Sequence, residues 1–142
     1  MRYLNKIVFI NSAAIRYSEV QLDGNIHLIG TQGVGKSTIL RAILFFYNAD
    51  TQRLGIPVEK KSYQDYYFPY ADSSIIYEVA REDGWFTVLS YKTMNRICYR
   101  FIASPYRPDL FIDEEGAPYP SDRIRSVLDK NGIKYSGAIS TY

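Results

Sequence analysis

The stretch Gly30-Thr31-Gln32-Gly33-Val34-Gly35-Lys36-Ser37 constrains this chain more than any other. It fits the pattern Gly-x-x-x-x-Gly-Lys-Ser in full. Small residues let consecutive backbone N–H groups turn inward around a phosphate, and Gly33 and Gly35 permit dihedral angles and a close approach that a side chain forbids. A helix starting at the loop adds the positive end of its dipole. Lys36 offers a point charge to the β- and γ-phosphates, the Ser37 hydroxyl suits Mg²⁺, and Thr38 stands near the α-phosphate. The pattern needs a strand before it and a helix after it. Residues 26–29 read as a strand, and Ile39, Leu40, Ile43, Leu44 and Tyr47 mark one buried face of a helix over 36–47. The expected ligands are ATP and Mg²⁺, bound by Gly30, Thr31, Gln32, Gly33, Val34, Gly35, Lys36, Ser37 and Thr38, with Ser37 on the metal.

Two strands are expected ahead of the loop, at 6–10 and 15–22, separated by Asn11-Ser12. Residues 51–72 lack a steady period and contain Gly55, Pro57 and Pro69, so they read as a long excursion. Strand-like runs at 74–80, 86–91 and 96–103 are separated by Glu82-Asp83-Gly84 and Thr93-Met94-Asn95, the spacing of an antiparallel meander. A hairpin is expected across Asp113-Glu114-Glu115-Gly116. A short helix should follow, with Ser121 as N-cap and Gly132 as stop. Tyrosine, with 14 copies, favours half-buried strands and interfaces.

With 142 residues the chain suits one domain with a real core, and its net charge of +2 argues for neither nucleic acid nor membrane. One cysteine, Cys98, excludes an internal disulfide framework and reads as a small core residue. No run is long and apolar enough to span a bilayer, and none resembles a secretory signal, so a cytoplasmic protein is expected.

Several residues carry two readings. Leu110-Phe111-Ile112-Asp113-Glu114 has the form of a Walker B strand, in which Asp113 would hold Mg²⁺ and Glu114 would activate water; the plainer reading is a hairpin tip. No guanine-reading Asn-Lys-x-Asp follows. Tyr135-Ser136-Gly137-Ala138 has only a faint likeness to an ABC signature and reads as a loop. Arg53, Lys60 and Lys61 can touch DNA or simply be solvated. Tyr63, Tyr66, Tyr67, Phe68 and Tyr70 can stack on nucleic acid, seat a partner or pack on the sheet, the last being the commoner use. His27 has no second ligand near it and reads as a strand histidine.

The order strand, break, strand, strand, glycine loop and helix, with Ser37-Thr38-Ile39-Leu40-Arg41-Ala42-Ile43 continuing the loop, resembles the N-terminal part of the head of SMC, RecF and RecN proteins within the ABC-type ATPases. Gln32 departs from the Asn typical there. The resemblance implies an α/β P-loop NTPase fold, an ABC-ATPase-like half head over 1–142 with an antiparallel β-subdomain at 73–119. It implies a truncated segment whose Walker B and signature motifs lie in a C-terminal half or a partner. It also implies a second head across ATP, DNA as a further partner, a role in DNA repair or chromosome maintenance, and low turnover by this chain alone. By analogy residues 12–16 would line the adenine pocket. Two other readings stand beside it: a self-contained P-loop kinase or NTPase using Asp113, and a non-catalytic module switched by nucleotide.

Overall fold

The computed structural model describes residues 3–12, 15–22, 67–93 and 96–137. Their organising element is strand β1, Tyr3–Ser12. Ile7, Val8, Phe9 and Ile10 are all buried, so β1 has apolar side chains on both faces and belongs inside a sheet. Each such side chain contributes about 1.5–3 kcal/mol on leaving water. β2, Ile15–Gln21, returns along one edge of β1, and β3, Ser74–Arg81, runs along the other. β4, Gly84–Thr93, and β5, Arg96–Ile102, complete a five-stranded sheet in the order β2-β1-β3-β4-β5. Every neighbouring pair is antiparallel.

Both faces are covered. Ile7, Phe9, Val20, Tyr77 and Val88 share one core with the buried Tyr67 and Phe68. Val8, Ile10, Ile76 and Leu89 share the other with Leu110, Phe111, Ile124 and Leu128. Those last residues come from a 3-10 turn, Pro108–Leu110, and from helix α1, Ser121–Lys130. Only Ile124 and Leu128 of α1 are fully buried, one turn apart on the face that meets the sheet.

The expected α/β P-loop NTPase architecture is therefore corrected, and with it the reading of these residues as an ABC-type ATPase or hydrolase domain. The described residues are mostly β, with one α-helix and no parallel ladder among them. The physical reason lies in β1. Its two hydrogen-bonding edges are taken by a hairpin partner and by the first strand of a meander, and both pairings are antiparallel. β2 and β3 do run parallel to each other, but β1 stands between them.

The strands expected at 6–10, 15–22, 74–80, 86–91 and 96–103 are present with shifted ends. The strand at 26–29, the glycine loop and the helix at 36–47 lie outside the described residues. Ser121 is the first helical residue rather than the cap; Pro120 holds that position, with no side-chain cap bond.

Two local breaks shape the sheet. Between Leu4 and Lys6 the β1–β3 register shifts, which leaves Asn5 as an extra residue on β1. Asn11 adopts a positive φ of 45°, a conformation Asn tolerates better than most residues. Its carbonyl accepts a hydrogen bond from the Ser73 hydroxyl, which ties the end of β1 to the residue that leads into β3.

Candidate functional site

The expected phosphate-binding residues, Gly30, Thr31, Gln32, Gly33, Val34, Gly35, Lys36, Ser37 and Thr38, lie outside the described residues. So do His27, Arg53, Lys60, Lys61, Tyr63 and Tyr66. The chain that carries them is anchored at both ends. Leu22 donates its N–H to the carbonyl of Asn5 at 2.8 Å, at the end of the sheet where β1 begins. Ser73 sits at the opposite end, where β1 finishes. Residues 23–66 therefore connect two strands that run in the same direction on either side of β1.

Asp113 and Glu114 occupy a turn. The Asp113 Oδ1 accepts from the N–H groups of Glu115 and Ala117, both at 2.9 Å, and Ile112 bridges to Pro118. One carboxyl oxygen is thus spent on the turn, as in an Asx turn, and Glu114 is exposed. The hairpin-tip reading describes this arrangement. Tyr67 and Phe68 are fully buried in the sheet core, whereas Tyr70 is exposed, so the described part of the aromatic cluster is chiefly packing. Tyr135 and Ser136 lie along β5: Tyr135 bridges Ile102, and Ser136 donates its N–H to the Phe101 carbonyl at 2.8 Å. Cys98 is buried and free.

Near the expected adenine-lining segment, Ser12 is buried and Arg16 exposed. The hydroxyls of Ser12 and Ser18 are buried without a hydrogen-bond partner among the described residues. Buried orphan hydroxyls are uncommon.

One polar cluster was not singled out from the sequence. The buried Glu78 accepts from Asn5 Nδ2 through Oε1 and from the backbone N–H of Tyr106 through Oε2, each at 2.7 Å. The bulge in β1 aims Asn5 at this carboxyl group. Gln21 Nε2 reaches Asn5 Oδ1 at 3.1 Å and joins β2 to the same network. Alongside, the hydroxyls of Tyr17 and Tyr106 lie 2.8 Å apart, Tyr17 donates to Glu19 at 3.0 Å, and Lys6 pairs with Glu19 at 3.2 Å. Burial, with the neighbouring Glu19 carboxylate adding to it, pushes the Tyr17 hydroxyl up to about 12. Burial and the bond to Tyr17 push Tyr106 up as well. Both phenols therefore stay protonated at neutral pH and serve as structural links. A glutamate inside Ser74-Ile75-Ile76-Tyr77-Glu78-Val79, an otherwise apolar run, was the available signal.

Among the described residues no group of three or more His, Cys, Asp or Glu residues is arranged to hold a metal ion. Nor is any helix among them long and apolar enough to cross a membrane.

The family model described as Protein of unknown function (DUF3584) matches residues 11–142. The chain belongs to this family. No curated protein and no solved structure matches the chain. The DUF3584 match takes in the glycine loop, β2 through β5 and α1.

Proposed function

We propose that this chain binds a nucleoside triphosphate with Mg²⁺ through the loop from Gly30 to Thr38. Binding would control association with a second copy of the same segment, in a cytoplasmic protein of DNA repair or chromosome maintenance similar to SMC, RecF and RecN proteins. The observation that carries the reading is the complete Gly30-x-x-x-x-Gly35-Lys36-Ser37 pattern, which sets an ammonium and a hydroxyl at the offsets that phosphate and Mg²⁺ require. It concerns the binding loop and does not call on the α/β architecture corrected above.

β2 and β3 flank β1 and point the same way, so the loop belongs to a connection between strands of like direction. Against the reading that uses Asp113 stands the turn, which already engages that side chain.

The test is equilibrium binding of a fluorescent ATP analogue with Mg²⁺ to the wild-type chain and to Lys36→Ala. Loss of the charge-assisted contacts to phosphate should weaken binding by about tenfold or more. Equal affinity in the two proteins, or no binding to either, overturns the proposal.

A further inference from the structure

β5 ends at Ile102, opposite Thr87, so the β4–β5 ladder leaves Gly84, Trp85 and Phe86 with no partner on β5. At this corner of the sheet lies an open cavity of about 540 Å³. Its walls carry four aromatic side chains, Trp85, Phe86, Phe101 and Tyr135, and two cations, Arg81 and Lys134. The size falls within the range of small-ligand sites, which combine apolar walls with a few polar groups.

Three features point to the chemistry of an occupant. Trp85 is 44% exposed, one of two large hydrophobic side chains so open among the described residues. Phe86 and Phe101 stand with ring centroids 6.5 Å apart, and the Arg81 guanidinium lies over the Phe86 ring, 5.6 Å from its centroid, so a cation already sits on an aromatic face. Lys134 has no ion-pair partner among the described residues. The Arg81 pair with Asp83, 3.5 Å apart and largely in solvent, is of the weak kind that an incoming anion displaces. Rings that stack and cations that flank them match a planar base carrying a phosphate.

We infer that this corner is a second ligand site, separate from the glycine loop, which takes a nucleotide unit by stacking its base on Trp85 and holding its phosphate between Arg81 and Lys134. The base contacts rings through its π-face, so the site discriminates weakly among bases. The phosphate contacts make binding fall as salt rises.

Trp85 is the only tryptophan of the chain, so intrinsic fluorescence reports on this corner. The experiment titrates the protein with thymidine monophosphate, thymidine and a short oligothymidylate. Saturable quenching by the monophosphate is expected, unchanged in Lys36→Ala and weakened about tenfold in the Arg81→Gln, Lys134→Gln double variant. Equal affinity per chain for monophosphate and oligomer marks a free nucleotide as the ligand; tighter binding of the oligomer marks a strand. The site is refuted if neither quenches saturably, if thymidine quenches as well as its phosphate, or if the double variant binds like wild type. Quenching lost in Lys36→Ala assigns the ligand to the glycine loop and refutes this site while leaving the loop proposal standing.

Discussion

At the scale of single residues, Glu78 matters most. Its buried carboxyl group satisfies the side-chain amide of Asn5 and the backbone N–H of Tyr106, so it joins the bulge in β1 to the segment after β5. Glu78→Ala leaves two buried donors unpaired, and we expect a loss of about 2 kcal/mol or more in urea unfolding. Tyr17 makes a different prediction. Its hydroxyl titrates near 10 when unfolded and at about 12 in the fold. A raised pKa gives stability that is whole below pH 10. It is lost as the pH climbs from 10 towards 12, where the unfolded chain sheds the proton first. Thermal unfolding followed over that window should show a decline that is shallower in Tyr17→Phe.

At the scale of elements, α1 owes its end to backbone geometry. Gly132 has φ 68°; its N–H bonds the Asp129 carbonyl at 3.1 Å, and the Ile133 N–H bonds that of Leu128 at 2.9 Å. This is a Schellman closure, and Ile133 and Leu128 belong to the same core. A Cβ at Gly132 would meet no atom within 4 Å, so Gly132→Ala costs only what the left-handed backbone demands, about 1 kcal/mol. Denaturant midpoints of the two proteins check this, with an unchanged slope. The stop at Gly132 was legible in the sequence because φ is a local property. The cap at Pro120 was not, since a serine preceding an apolar face looks the same one position earlier or later.

At the scale of the whole molecule, β1 holds the fold together. It is paired on both edges and packed on both faces, whereas β2 and β5 each have one strand partner among the described residues. Amide hydrogen exchange should be slowest at Val8, Phe9 and Ile10, and faster along β2. Protection in β2 equal to that in β1 would contradict this hierarchy. The polar network around Glu78 also belongs to this scale. Asn5, Gln21, Glu78 and Tyr106 are far apart in the chain and become neighbours only when β2, β1 and β3 align.

The amino-acid order alone determined where the strands of the described sheet lie, where α1 falls and which turns divide them. Each of these depends on alternation, on a helical period or on the dihedral freedom of Gly and Asn within a few residues. It also placed a phosphate-binding pattern at Gly30 to Thr38. Which strand lies beside which was decided by tertiary structure, because pairing depends on both faces of β1 being buried at once. An apolar run such as Lys6-Ile7-Val8-Phe9-Ile10 suits a parallel or an antiparallel neighbour equally well, and only the partners that close its two edges select one.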